Sequence, residues 1–204
     1  MSEGRIRRMA AVVEIHPVNP QPRLIREIAD LVEAGGIIAY PTEAVYGLGC
    51  DPRQVAAIHR LLEIKERAIE KGFILIAAGF EQLQPYLCPV NETVMAKISA
   101  TWPGPVTWLL PAADNVPRDV RGTHDTVAVR ITAHPLTAKL CRTAGTALIS
   151  TSANREGEPA ARTAREVTGT FGSLVDFILI GDVGDEPNPT IIKDARTDEI
   201  VRPA

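Results

Sequence analysis

Lys65, Arg67 and Lys71 lie in the part of the segment HRLLEIKERAIEKGFILI where a helical apolar pattern gives way to a strand pattern. In an extended segment, side chains two residues apart share a face, so Lys65 and Arg67 could hold one anion together. Arginine offers a planar fork to phosphate oxygens and lysine a mobile charge, so the pair suits a polyphosphate. A solvated helix face, with Glu63 and Arg67 as an ordinary i, i+4 pair, would explain the same residues.

The segment DTVAVRIT places polar side chains on one face of a predicted strand. Apolar residues alternate in it with polar or small ones, which is the period of a half-buried strand. Thr126 and Arg130 therefore share a face, and the small Ala128 between them leaves room for a ligand to lie across it. An exposed face of an antiparallel sheet would show the same alternation, so a binding face and a solvated face both remain open.

Small polar residues follow another buried strand at once, in the stretch STSAN from Ser150 to Asn154. The hydroxyl and amide groups can donate hydrogen bonds, and a tight turn at Ala153 lets main-chain N–H groups face an anion. We therefore expect this strand end to hold an oxygen-rich ligand. Serine and asparagine also cap turns for local reasons, so the motif alone is weak.

The elements that must position these residues follow from hydrophobic period and turn signals. Helices are predicted at residues 20–33, from Asp51 as N-cap with Pro52 in the first turn, at 92–99, after His134, and from the capping-box spacing of TARE. Strands are predicted at IIAY, FILIAA, VTWLL, TVAVRIT, ALIS, FILI, TIIK and EIVR, while YPTEAVYGLGCDP is predicted to be a loop. This gives roughly seven or eight strands and about five helices, with connections that favour a mixed sheet over a doubly wound parallel one.

Composition limits the class of protein. The chain has 204 residues, 45% of them hydrophobic, and a formal charge of -3; it has no apolar run long enough to span a bilayer, so we expect a single α/β domain in solution, without contact to a membrane. The mildly acidic balance argues against a general nucleic-acid coat, although a local basic groove stays open. HExxH, GxSxG, Walker and GxGxxG patterns do not occur, so the standard hydrolase, P-loop and dinucleotide interpretations lack their signatures.

Cysteine use and the chain start set the compartment and the domain limits. Three cysteines lie far apart without CxxC spacing, which indicates neither a zinc site nor a disulfide framework and favours the cytoplasm. The start MSEGRIRRMA carries charge but no apolar core of a signal peptide. We expect residues 1–19 to form a leader and first segment with a disordered start, and residues 20–204 to form one domain.

Five ordered blocks together resemble a known family. They read YPTEAVYGLGCDP, LLEIKERAIEKGFILIAA, WPGPVTWLLPA, DTVAVRITAHPL and STSANREGEP. In this order they resemble the YrdC/TsaC family, the threonylcarbamoyl-AMP synthases of tRNA modification, over residues 20 to 202. The resemblance implies an α/β fold, a YrdC-like twisted mixed sheet flanked by helices, with a concave basic cavity.

The resemblance also implies a reaction. L-Threonine, bicarbonate and ATP would give threonylcarbamoyl-adenylate and pyrophosphate, which is nucleotidyltransferase chemistry, with Mg2+ accompanying ATP and no metal site of the protein's own. Partner proteins would then transfer the threonylcarbamoyl group to an adenosine beside the tRNA anticodon, and tRNA itself is a further candidate ligand. Because a carbamate attacks the α-phosphorus, positioning and charge stabilisation matter more than a protein nucleophile.

The resemblance assigns residue roles at the matching positions. Lys65 and Arg67 would be the catalytic pair that holds the ATP phosphates. The rest of the nucleotide site would comprise Lys71, Thr126, Ser152, Asn154 and Arg202. Arg130 would bind the threonine carboxylate, and the threonine pocket would also contain Thr42, Ser150 and Thr190.

The chain departs from the family pattern at several of these blocks. Ala44 replaces the second threonine of PTDT or PTET, Ala68 replaces the proline after KxR, and KGF at 71–73 replaces KPL or NPL. Ile76 stands where a histidine that contacts threonine is often found. Ala44 and Ile76 keep open the alternative of a paralogue that uses another amine acceptor. A second alternative is an RNA-binding module of the same fold, because a concave basic surface could bind RNA without chemistry.

Overall fold

The computed structural model describes residues 11–14 and 21–203. Its strands are β1 (Ala11–Glu14), β2 (Ile38–Pro41), β3 (Tyr46–Gly49), β4 (Ile74–Ala77), β5 (Val106–Pro111), β6 (Thr126–Ile131), β7 (Leu148–Ser152), β8 (Phe177–Ile180), β9 (Ile191–Asp194) and β10 (Ile200–Arg202). Its α-helices are α1 (Pro22–Glu33), α2 (Val55–Lys65), α3 (Glu92–Ser99), α4 (Arg118–Arg121), α5 (Pro135–Ala144) and α6 (Ala164–Phe171). Single 3-10 turns lie at Ile69–Lys71, Phe80–Gln82 and Gln84–Tyr86.

The described strands form one 10-stranded sheet in the order β1-β8-β2-β3-β7-β4-β6-β5-β9-β10. Strand β4 pairs parallel with β6 and antiparallel with β7, while β5 pairs antiparallel with β6 and parallel with β9. The predicted mixed sheet is therefore confirmed, and the segments that carry the candidate site residues lie on neighbouring strands.

Helices cover the two faces of this sheet unequally. Consecutive strand residues point to opposite faces, so Leu75 joins the larger core, which α2 and α6 also bury, while Ile76 joins a smaller core under α1 and α5. Ile74 lies on the same face as Ile76 but at the margin of that smaller core. The helices α1 and α5 therefore leave part of their face of the sheet uncovered beside β4.

Strand β3 was not predicted, because its glycines belong to a segment that has the composition of a loop. Its Tyr46 to Gly49 pair antiparallel with β2, with Tyr40 opposite Gly47. A Cβ added at Gly49 would lie 2.0 Å from the Ile149 carbonyl oxygen. Glycine weakens a strand in isolation, and here it is required because the neighbouring backbone approaches so closely.

Helix α2 begins later than predicted. Asp51 does not cap it, because its buried carboxylate accepts hydrogen bonds from the Arg53 backbone N–H at 2.8 Å and from Arg53 Nη2 at 2.6 Å. The helix then starts at Val55. Two other predicted helix starts are confirmed, since α3 spans 92–99 and Thr163 with Glu166 forms the capping box of α6.

The chain start adds one strand to the sheet. Strand β1 pairs parallel with β8, so part of the segment predicted as a leader belongs to the sheet, while the single domain predicted for 20–204 stays a prediction. The disordered start predicted for the first residues lies outside the described part. Within 11–14 and 21–203, no helix is long and apolar enough to cross a membrane. Cys50, Cys88 and Cys141 are all free.

Candidate active site

A cavity of about 790 Å³ opens on the uncovered part of the sheet face beside α1 and α5. Its volume lies within the range of about 300–1,000 Å³ that is usual for small-molecule sites. The β2–β3 turn, the segment after α2, strands β4, β6 and β7, and the C-terminal segments from 187 onward all contribute to its lining. Of the predicted site residues, the cavity brings together Thr42, Arg67, Lys71, Thr126, Arg130, Ser150, Ser152, Asn154, Thr190 and Arg202.

Strand β6 forms the floor of the cavity, as the alternation of apolar with polar or small residues along it predicts. Thr126, Ala128 and Arg130 line the cavity, whereas Val127 and Val129 point into the larger core. The small Ala128 keeps the space between the two polar side chains open. The polar face of β6 therefore lines a cavity rather than an open surface of the sheet, and its role in binding stays a prediction.

Arg67, Arg130 and Arg202 bring positive charge together at this cavity. The pKa of Arg202 is lowered, first by burial and then by the neighbouring charges of Arg130 and Arg67. Burial also lowers the pKa of Arg67, whose guanidinium donates to the Gly72 carbonyl at 2.9 Å and lies 5.5 Å from the ring centre of Phe73. Like charges held close together in a half-buried cavity favour an anionic ligand.

Lys65 is the exception among the predicted site residues, because it does not line the cavity. It ends α2, and Glu66 follows in the left-handed conformation with φ 50°, so Lys65 and Arg67 do not share an extended face. The Lys65 ammonium donates to Ser152 O at 2.7 Å, to Asn154 Oδ1 at 3.0 Å and to Asn154 O. Lys65 therefore holds the end of β7 from behind.

The pKa of Lys65 is lowered to about 8. Burial is the main cause, and the neighbouring Arg67 charge adds to it. The charged ammonium carries three N–H donors, which matches the three oxygens around it. Deprotonation near pH 8 would leave one of these oxygens without its donor.

The strand end STSAN is ordered by its own hydrogen bonds as well. Ser152 Oγ donates to Asn154 Oδ1 at 2.6 Å, and Asn154 Nδ2 donates to Glu158 O at 2.8 Å. Beside it, Lys71 Nζ pairs with Glu156 Oε1 at 2.7 Å, and both side chains are substantially exposed. An exposed pair of this kind contributes little to stability because solvent screens it, so a ligand phosphate could replace Glu156.

Glu43 is a buried acid behind the cavity that the sequence did not single out. Thr42 and Ala44 line the cavity, whereas the Glu43 carboxylate points away from it, with Oε2 3.1 Å from Arg130 Nη2. Its only sequence signal was an acidic residue two positions after the end of the buried strand β2. The partner lies 87 residues along the chain, at the end of β6, so the sequence alone could not pair them.

Two of the departures from the family pattern lie in different surroundings, one at the cavity surface and one in the core. Ala44 lines the cavity, so the hydroxyl of a threonine is missing from its wall. Ile76 is fully buried in the smaller core with Leu136 and Leu140 of α5, and it does not line the cavity. The change at position 76 therefore alters the core rather than the cavity surface.

The cavity is poor in metal-binding groups. No group of three or more histidine, cysteine, aspartate or glutamate side chains that could hold a metal ion is found within residues 11–14 and 21–203. Glu158 is the acidic residue that lines the cavity. A divalent cation that arrived with a polyphosphate would keep most of its waters and need few protein carboxylates, which fits this lining.

Comparison with known proteins gives a consistent result. The family model Sua5/YciO/YrdC, described as "Telomere recombination", matches residues 30–204. A protein of Nitrosococcus oceani named threonylcarbamoyl-AMP synthase is 56% identical over 178 residues, covering 87% of this chain and 96% of its own. A protein of the same name from Coxiella burnetii is 48% identical over 178 residues, with the same shares of 87% and 96%.

Solved structures show the same fold. P. abyssi Sua5 complexed with L-threonine superposes with a TM-score of 0.89 at 30% identity, over 95% of this chain and 57% of that chain. This chain thus spans little more than half of the Sua5 chain. E. coli YciO superposes with a TM-score of 0.84 at 29% identity, over 95% of each chain.

Proposed function

This chain belongs to the Sua5/YciO/YrdC family, and we infer that it is a threonylcarbamoyl-AMP synthase, the name that its curated relatives carry. The observation that carries this proposal is the meeting of Arg67, Arg130 and Arg202 with the strand end STSAN at one cavity. The enzyme would form threonylcarbamoyl-adenylate and pyrophosphate from L-threonine, bicarbonate and ATP. In reaction class it is a nucleotidyltransferase.

The nucleotide end of the cavity is the part with unneutralised cations. Neither Arg67 nor Arg202 takes part in an ion pair within the described part of the chain. Arg202 instead donates to the Thr190 carbonyl at 2.8 Å. A triphosphate would supply the missing negative charge, with Lys71 released from Glu156 and the Ser152 hydroxyl released from Asn154 Oδ1. The Thr126 hydroxyl and the Asn154 amide would be further donors.

In the proposed reaction the chain acts by positioning and charge. An oxygen of the carbamate formed from threonine and bicarbonate attacks the α-phosphorus, and the bond from that phosphorus to the pyrophosphate oxygen breaks. Arg67 and Lys71 would stabilise the charge that develops on pyrophosphate, while the ordered strand end holds the nucleotide in line. Mg2+ would supply further charge stabilisation when it is bound to ATP.

The partners and the location of the protein remain predictions. Threonylcarbamoyl-transfer proteins would take up the adenylate and carry the group to tRNA, and free cysteine thiols fit a reducing cytoplasm. The alternative of a purely RNA-binding module gains no support from the cavity, because its buried floor suits a small molecule better than a duplex. The paralogue alternative now depends on Ala44, since Ile76 lies in the core.

The experiment that tests the proposal is pyrophosphate release from ATP and bicarbonate with L-threonine, with L-serine or without an amino acid. We expect release that requires the amino acid and is fastest with threonine. ATP binding without threonine-dependent release would contradict the proposal. Faster release with another amine than with threonine would support the paralogue instead.

A further inference from the structure

A buried acid and a buried arginine meet behind the cavity with hydrogen-bonding capacity to spare. Glu43 is 5% exposed and Arg130 is 4% exposed. Their charged groups are 3.1 Å apart, but Glu43 Oε2 and Arg130 Nε have no hydrogen-bond partner, because the contact is close without being aligned. Buried charged groups normally satisfy all of their donors and acceptors. The pair is thus close but incompletely hydrogen-bonded, and it lies directly behind a cavity that Arg130 also lines.

Glu43 is the fixed member of the pair. Its Oε1 accepts hydrogen bonds from Thr132 Oγ1 at 2.8 Å and from the Ala133 N–H at 2.9 Å. Its backbone carbonyl accepts from the Glu186 N–H at 3.1 Å, and a Cβ at Gly184 would lie 2.7 Å from the same oxygen. These contacts hold the carboxylate in place from several directions, so the longer Arg130 side chain must adapt to it.

The charge of the pair favours a particular ligand group. Glu43 offsets much of the charge of Arg130, with the two charged groups 3.1 Å apart, and Arg130 also lines the cavity. A fork with little net charge suits a singly charged carboxylate, whose two oxygens match its geometry. The multiply charged phosphates would instead prefer Arg67 and Arg202, which no carboxylate in the described chain neutralises.

We propose that Glu43 is a positioning residue that aims the Arg130 guanidinium at the carboxylate of the amino-acid substrate. This inference rests on the proposed function, because it takes L-threonine as the amino acid. Glu43 itself touches neither substrate. It acts through Arg130, and its effect should therefore be confined to the amino-acid end of the cavity.

The test is the variant Glu43→Gln, which keeps the shape and the Oε1 acceptor but removes the charge. We expect the KM for L-threonine to rise about tenfold or more, because a misaligned Arg130 would lose its charge-assisted hydrogen bond to the threonine carboxylate. The KM for ATP should change less than about twofold. Calorimetric titration with L-threonine should show the same loss of affinity. The matched control Glu186→Gln removes an exposed carboxylate from the adjoining segment and should leave both KM values unchanged.

L-Threoninamide separates positioning from a merely structural role, because it lacks the carboxylate that Arg130 would bind. The Glu43→Gln penalty should be large for L-threonine and small for the amide. Equal penalties for the two, or equal effects on the KM values for threonine and ATP, would overturn the inference. Should Glu43→Gln fail to fold, the double variant Glu43→Gln/Arg130→Met, which removes both charges, is compared with Arg130→Met. The two should bind threonine equally well, because Glu43 acts through Arg130. Weaker binding by the double variant would count against positioning.

The failure of this inference and the failure of the proposed function give different results. Wild-type protein that binds threonine but releases no pyrophosphate would refute the proposed reaction, while the binding of threonine and threoninamide to Glu43→Gln would still decide the positioning role. Wild-type protein that binds no threonine would refute both. Wild-type turnover together with an unaltered KM for L-threonine in Glu43→Gln would refute the positioning role alone.

Discussion

At the scale of single residues, Lys65 and Arg67 show how neighbouring cations can have separate tasks. Both carry positive charge beside the same strand end, yet Arg67 lines the cavity and Lys65 supports the carbonyls of Ser152 and Asn154 from behind. One left-handed residue, Glu66, separates them. The proposed nucleotide site therefore needs Arg67 for contact and Lys65 for geometry.

The variant Arg67→Ala should lose activity without losing the fold. Removing one preorganised cation from a charged transition state costs on the order of 100- to 1,000-fold in kcat. The lost cation–π contact with Phe73 and the lost hydrogen bond to the Gly72 carbonyl together cost on the order of 1–3 kcal/mol of folding free energy. Steady-state pyrophosphate release measures the activity, and thermal unfolding measures the stability. Arg155→Ala, which removes an exposed arginine paired with Glu66, is the control, and a large fall in Tm for Arg67→Ala would make Arg67 a structural residue.

The variant Lys65→Met should lose stability and activity together. It removes the Lys65 donor from Asn154 O, while Ser152 O and Asn154 Oδ1 each keep one other donor. A buried group left unsatisfied costs about 1–3 kcal/mol. We therefore expect a lower Tm as well as slower pyrophosphate release. Slow turnover with an unchanged Tm would instead show that Lys65 binds the phosphates directly.

The pH dependence of Lys65 provides a second test, in which activity and stability move in opposite directions. With a folded-state pKa of about 8, below the ordinary 10.5, the unfolded chain binds the proton more tightly. The contribution of Lys65 to the free energy of unfolding therefore rises between pH 8 and 10.5, while activity falls as the ammonium loses a donor. Lys65→Met should show neither trend relative to wild type, and parallel trends in wild type would contradict the account.

The positions of some site residues could be predicted from the sequence, whereas the contacts of others could not. Thr126 and Arg130 were placed on one face because a strand period of two fixes facing directions locally. The Glu43–Arg130 pair and the Lys65 contacts with the strand end depend on which strands become neighbours. That information is in the tertiary fold and not in any local spacing.

At the scale of elements, the start of α5 carries a pH-sensitive cap. His134 is the N-cap residue, with Nδ1 accepting from the Thr137 N–H at 3.5 Å and Nε2 within 3.0 Å of the Asp182 carbonyl oxygen. A neutral imidazole with its proton on Nε2 satisfies both contacts, whereas a proton on Nδ1 would face a donor. Burial accordingly lowers the pKa of His134.

Acid should therefore destabilise the protein through this cap. Since the folded-state pKa lies below the ordinary 6.5, the stability from neutral His134 is complete above about pH 6.5 and is lost as the pH falls through the folded-state value. The variant His134→Asn keeps a capping acceptor that cannot be protonated in this range. Its Tm should fall less steeply than that of wild type below pH 6.5, and equal slopes would assign the acid sensitivity to other groups.

The elements themselves were largely predictable, and the exceptions have physical reasons. Helices α3 and α6 and most strands follow from caps and apolar period, which are local properties. Strand β3 was missed because Gly47 and Gly49 oppose strand formation locally and are accepted only for close packing against Tyr40 and the Ile149 carbonyl. The start of α2 was wrong because Arg53 competes for the Asp51 carboxylate.

At the scale of the whole molecule, local charge matters more than net charge. The chain is acidic overall, with a net charge of -3, yet Arg67, Arg130 and Arg202 come from separate segments and meet at one cavity. The sheet order produces this meeting, because β6 and β7 both border β4 while β9 and β10 extend the sheet beyond β5. A concave basic cavity in an acidic protein favours a small anionic substrate over a long polyanion.

The proposed activity of this cavity is the conversion of L-threonine, bicarbonate and ATP into threonylcarbamoyl-adenylate and pyrophosphate. Mass spectrometry of the reaction with ATP, L-threonine and 13C-labelled bicarbonate tests it directly. We expect threonylcarbamoyl-adenylate that carries the 13C label, formed by wild type and strongly reduced in Arg67→Ala. Release of pyrophosphate with AMP or an unlabelled adenylate as the product would contradict it.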